Sequence, residues 1–148
     1  MIKSYRGLMA KDSQDRIYLA TNTGRTGYRI TKFQIMPENP YAAADKELIF
    51  KVWTQKQTSI DGVINFGDQT LIAAATYSDS DGSAAPVTQY SESVIFDNEV
   101  INQDLFITYT EKHGSQAGNF YLELETVSLD SNQATVVTLK DMRGRNTT

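Results

Sequence analysis

The chain has no cysteine, which excludes disulfides and thiolate metal sites. It has one histidine, His113, and a single imidazole without thiolates cannot build a zinc site of the usual four-ligand kind. No stretch approaches the roughly 20 apolar residues that span a bilayer. The opening segment MIKSYRGLMAKDSQDRIYLA also lacks the apolar run of a signal peptide. Positive charge is not in excess: 14 Lys and Arg stand against 18 Asp and Glu, a formal net charge of −4. A dedicated nucleic-acid binder would carry a basic face. Here the candidate basic groups are Lys3 and Arg6 near one end and Lys140, Arg143 and Arg145 near the other, where solubilising charge is the simpler explanation. Tryptophan is also scarce, with Trp53 alone beside eight Tyr and six Phe. Tyr-rich strands suit a sandwich, because a ring packs while its hydroxyl stays wet.

What is present is strand after strand. A length of 148 residues is enough for one domain with a real core. Ile2–Met9 and Arg16–Ala20 read as strands around the polar turn Lys11-Asp12-Ser13-Gln14, and Gly24 and Gly27 supply a tight loop. Tyr28–Met36 changes its apolar phase between Ile30 and Phe33, which predicts a bulge near Thr31-Lys32. Pro37 and Pro40 then break the ladder. Glu47–Thr54 is partly apolar on both faces, as a covered central strand would be. Val63–Phe66 reads as a short strand framed by Asp61-Gly62 and Gly67-Asp68; in Leu71–Tyr77 three alanines favour helix, while its short length and β-branched flanks favour strand, the reading adopted. Beyond the long polar loop Ser78–Glu92 come Ser93–Phe96, Asp104–Thr110, Asn119–Leu129 and Ala134–Met142. In Asn119–Leu129, Phe120, Leu122 and Leu124 alternate with Tyr121, Glu123 and Glu125, a half-buried antiparallel pattern. Leu129-Asp130-Ser131-Asn132 reads as a hairpin turn into the last strand. The expectation is an all-β, single-domain antiparallel β-sandwich over residues 1–148, jelly-roll-like, with roughly eight to ten strands and short extended N- and C-terminal arms.

Groups that carry chemistry are sparse. His113 sits in the turn TEKHGSQAGN, where an exposed turn residue is the plain reading. Asp79-Ser80-Asp81-Gly82 looks like part of a calcium loop, but Tyr77 and Thr88 stand where further ligands belong. Glu123 and Glu125 share a strand face about 7 Å apart, a spacing compatible with a glycosidase pair and equally with any polar strand face. Gly24 and Gly27 belong to no phosphate-binding motif. Trp53 reads as core, or alternatively as a sugar-stacking platform. No enzyme mechanism, cofactor or metal follows from these residues.

Three phrases in the last third are more specific. Asn102-Gln103-Asp104-Leu105-Phe106-Ile107-Thr108, then Asn119-Phe120-Tyr121-Leu122-Glu123-Leu124-Glu125, then Thr138 to Arg143 closing on TLKDMR, resemble a family of small virion structural proteins from tailed phages of marine bacteria, cyanophages among them. INFGDQTLIAAATYSD is similar in flavour. The clear resemblance covers Val94 to Arg143, about a third of the chain. It implies a non-enzymatic virion protein, a capsid decoration or other accessory head, neck or tail component, assembled in the host cytoplasm. Its implied partners are other virion proteins and copies of itself, with no nucleic acid or membrane. Extended ends can add strands to neighbouring subunits, which makes Ile2, Lys3, Tyr5, Arg6, Arg143 and Arg145 the candidate partner contacts. Asn102, Gln103 and Asp104 are expected to shape a turn. The competing expectation is a carbohydrate- or receptor-binding β-sandwich module, supported by Trp53, the Tyr content and the Asp79–Asp81 loop.

Overall fold

Alternation of apolar and polar residues builds eight strands, and a capping box starts one helix, among the residues described by a computed structural model: 1–40, 45–80, 88–96 and 99–142. The strands are β1 (Ile2–Met9), β2 (Ser13–Ile17), β3 (Thr26–Pro37), β4 (Lys46–Trp53), β5 (Leu71–Ser80), β6 (Thr88–Ile95), β7 (Leu105–Glu111) and β8 (Gly118–Ser128), followed by α1 (Ser131–Met142). They form two antiparallel sheets, β1-β8-β3 and β2-β7-β4-β5-β6. The β-sandwich expectation holds, with eight strands among the described residues.

The strand order is that of a wound ribbon. A jelly roll pairs its first strand with its eighth, second with seventh, third with sixth and fourth with fifth, then rolls these pairs into two sheets. Here β1 pairs with β8, β2 with β7 and β4 with β5. The exception is β6, which pairs with β5 instead of β3. On β3, Tyr28 and Ile101 exchange backbone hydrogen bonds of 2.7 and 2.9 Å, so the β6–β7 connection occupies part of the position a sixth strand would take.

Register explains the burial. β8 sends Phe120, Leu122 and Leu124 inward. β3 slips one residue against β8 between Ile30 and Lys32, at the predicted bulge, and so keeps both Ile30 and Phe33 in the core. β4 is third of five strands and buried on both faces, as its sequence implied. At the centre Phe50 stacks on Tyr109 with ring centroids 4.5 Å apart, while Phe33 meets Phe50 edge-on at 6.4 Å. The wholly buried Tyr109 hydroxyl donates to the Gln116 carbonyl at 2.6 Å, and burial raises its pKa far above the phenolic range. Gly118 permits this stack. A Cβ there would lie 2.9 Å from ring atoms of both Phe50 and Tyr109. Gly118→Ala is therefore expected to destabilise by about 1–3 kcal/mol through overpacking, measured by urea denaturation; a wild-type midpoint would show that the rings move aside freely.

Four expectations are corrected. Residues 134–142 form the α-helix α1, not a strand. The supposed hairpin turn is its N-terminus: the Gln133 N–H donates to Asp130 Oδ1 at 2.8 Å, and the Asp130 N–H donates to Gln133 Oε1 at 3.0 Å. That reciprocal pair satisfies two orphan groups and starts the helix despite its β-branched residues. Val63–Phe66 is not a strand but part of the irregular 54–70 loop. The second strand runs Ser13–Ile17, earlier than Arg16–Ala20, because Leu19 and Ala20 give their N–H groups to Asp104 instead of a ladder. Finally, Ser78–Ser80 and Thr88–Glu92 of the expected polar loop belong to β5 and β6, whereas Ile2–Met9 is the expected strand, all eight of its residues pairing in register with β8.

Candidate functional site

The two outer faces of the sandwich differ. On the five-stranded sheet, the outward residues Lys51, Trp53, Phe106 and Thr108 are buried because the 54–70 loop folds back over them. Trp53 Nε1 donates to Thr108 Oγ1 at 3.0 Å, and the ring packs with Leu71, Phe106 and Ile64. Lys51 Nζ reaches the Val63 carbonyl at 2.7 Å and Asp61 Oδ1 at 3.0 Å. The Lys51 hydrogen bond, helped by the Val63 N–H, holds the Asp61 carboxyl below the usual carboxylate range. Gln14 and Gln57 close the edge with two reciprocal bonds of 2.8 and 3.1 Å. Trp53 is therefore core and not a platform.

Among the described residues, the three-stranded sheet is open on its outer side. Its centre presents two cross-strand rows set by register: Leu8, Asn119 and Met36, then Arg6, Tyr121 and Gln34. Leu8 is 52% exposed and Met36 61%. Between the rows lies a shallow groove of about 630 Å³, whose lining includes Gly7, Ile35 and Phe120. Towards the other end Glu123 lies between Ser4 and Lys32, and Glu125 between Ile2 and Arg29. This face combines exposed apolar side chains with charges of both signs.

The predicted contact residues scatter over this architecture. Ile2 and Arg6 are exposed, and Arg6 lines the groove. Tyr5 packs against the core, and Lys3 Nζ lies 5.6 Å from the centroid of the Tyr28 ring. Arg143 and Arg145 lie outside the described residues, as do Asp81 and Gly82 of the calcium-like segment. Asp79 belongs to β5, with its Oδ2 3.5 Å from the buried Lys46 ammonium. His113 is an exposed turn residue, its Nε2 3.1 Å from Glu47 Oε2. Glu123 accepts from the Tyr121 hydroxyl at 3.2 Å on the sheet surface, and Glu125 is exposed. Among the described residues, no group of three or more His, Cys, Asp or Glu stands together in a way that could hold a metal ion, and no helix is long and apolar enough to cross a membrane.

Three buried polar residues organise the loops; the sequence marks Asn102 and Asp104 only as turn residues and does not mark Glu111. Asn102 is fully buried, and its Nδ2 donates to the Gly24 carbonyl at 2.9 Å and to Thr138 Oγ1 at 2.6 Å. Asp104 accepts the Leu19 and Ala20 N–H groups at 2.7 and 2.8 Å and faces Arg16 at 2.6 Å. Glu111 accepts the N–H groups of Glu47, His113 and Gly114, which folds the β7–β8 turn around its carboxylate. The chain bends at Gln103, and Asn102 and Asp104 on either side fasten distant segments to it. Compared with known proteins, the chain matches no family model and no curated sequence.

Proposed function

We propose that this protein is a non-enzymatic structural component of a phage virion, a capsid decoration or other accessory part of head, neck or tail. It would bind neighbouring virion subunits, and copies of itself, through the outer face of β1-β8-β3. The resemblance over Val94 to Arg143 supplies the class. The observation that carries the reading is the asymmetry of the two faces: the chain covers one with its own loop and leaves Leu8, Met36 and Tyr121 on the other uncovered.

Size suits an array. Three strands about 4.8 Å apart and eight residues long at about 3.3 Å each give a face of about 400 Å². A standard interface buries about 800 Å² per partner, so a single contact is weak, and repetition over a symmetric particle supplies avidity. A net charge of −4 also fits a place away from packaged DNA. The carbohydrate- or receptor-binding alternative loses two of its supports, since Trp53 is buried and Asp79 faces Lys46.

The test is the pair Leu8→Glu and Met36→Glu, introduced together. Both side chains are exposed, so stability is expected to stay within about 0.5 kcal/mol per substitution, while saturable binding to purified capsids, necks or tails disappears. Undiminished binding would move the contact elsewhere. A wild-type protein that binds no particle part would remove the virion reading.

A further inference from the structure

A second concavity, of about 590 Å³, lies between the end of the 54–70 loop, the start of the β6–β7 connection and the last turn of α1. Phe66 and Phe96 meet there edge to face, with centroids 5.3 Å apart, and Phe66 is 55% exposed. Asp68, Glu99, Lys140 and Asp141 supply its charged lining. Most of their polar atoms have known partners. Asp68 Oδ1 accepts from both the N–H and the hydroxyl of Thr70, and Lys140 Nζ donates to Glu99 at 2.9 Å and to the Val100 carbonyl at 2.7 Å.

Asp141 is different. It is 3% exposed, and its Oδ2 accepts the Asn102 N–H at 2.9 Å. Its Oδ1 is buried without a hydrogen-bond partner, the Lys140 ammonium standing 3.8 Å away. A buried acceptor left unmatched costs stability, and such atoms are rare enough in folded proteins to require a reason.

We propose that this cleft binds a hydroxyl-rich ligand, a saccharide unit, with an apolar ring face against Phe66 and Phe96 and hydroxyls turned to Asp68, Glu99, Lys140 and Asp141. A hydroxyl both donates and accepts, which matches a lining of carboxylates interrupted by one ammonium. A cationic amine would satisfy the carboxylates but face Lys140. Burial raises the Asp141 pKa against the opposing effects of the Asn102 N–H and Lys140. The volume falls within the range of about 300–1,000 Å³ usual for small-molecule sites. None of this rests on the virion reading.

The test is an amide-resolved NMR titration of the full chain with glucose, galactose and N-acetylglucosamine, with putrescine as the amine. At least one sugar is expected to shift amides at Phe66, Thr70, Phe96 and Lys140 with a millimolar Kd, and Phe66→Ala to weaken it by about tenfold, equivalent to 1.4 kcal/mol. Glu99→Gln serves as the second variant, removing a carboxylate without touching the aromatic pair, and it too is expected to weaken the sugar. Each variant is first checked for a wild-type melting temperature. No shift at the cleft with any sugar, shifts that both variants leave intact, or binding of putrescine alone would overturn the proposal.

Discussion

Asp104→Ala is expected to lower folding stability by about 3 kcal/mol, because two backbone donors lose their acceptor at about 1–3 kcal/mol each when buried. The Leu19 and Ala20 N–H groups end on Asp104 Oδ1. Arg16, with its side chain half exposed, returns to water at little cost. Burial alone would raise the Asp104 pKa, but the Ala20 and Leu19 N–H groups and then Arg16 outweigh it and bring it below 3.8. A depressed folded pKa means that this stabilisation is fully present above the unfolded value and is lost as pH falls through the folded one. Asp104→Asn, which keeps an acceptor oxygen but not the charge, should therefore show a shallower loss of stability on acidification than wild type. Urea midpoints measured from neutral pH down to about 3 check both points. Parallel acid profiles would mean that Asp104 does not contribute through its charge.

Trp53→Ala is expected to cost about 3–5 kcal/mol, the range for removing a large buried aromatic. Trp53 is 7% exposed and packs with Leu71 and Phe106 beneath the 54–70 loop. Truncation opens a cavity and strands the Thr108 hydroxyl that the indole now meets at 3.0 Å. Trp53→Phe keeps most of the packing and loses that hydrogen bond, so a smaller loss of about 1 kcal/mol is expected. Chemical denaturation followed by far-ultraviolet dichroism measures both, since fluorescence loses its only indole. A near-native midpoint for Trp53→Ala would place the ring outside the core.

Where a strand buries one face, its period is written in the chain. Phe120, Leu122 and Leu124 gave β8, and the phase change around Thr31-Lys32 gave the bulge. The helix was hidden for a physical reason: α1 has no apolar stripe. Val136 and Leu139 are exposed, and only Ala134 and Asp141 are buried. Asn102 and Asp141 hold it by polar bonds rather than by an amphipathic face, so a search for periodicity finds only the β-branched run Thr135-Val136-Val137-Thr138. The legible signal is the capping pair of Asp130 and Gln133, masked because Leu129-Asp130-Ser131-Asn132 also fits a hairpin turn. Asp104 and Asn102 were illegible as anchors because their partners lie 85 and 78 residues away along the chain. The open face was half legible: the sequence marked Arg6, but only the register places it beside Tyr121, in the row next to Leu8 and Met36.

The pairing of first strand with eighth also sets a timetable for synthesis. Thr126 bonds to the Met1 carbonyl across 125 residues of chain. At about 5–20 residues per second on a ribosome, β1 waits about 6–25 s for its partner to be made. During that interval its alternating Tyr5, Gly7 and Met9 have no β8 to lie against. A polysome of this message would hold many such unmatched first strands close together, so a brief guardian of nascent chains would matter more to its yield than to its final stability.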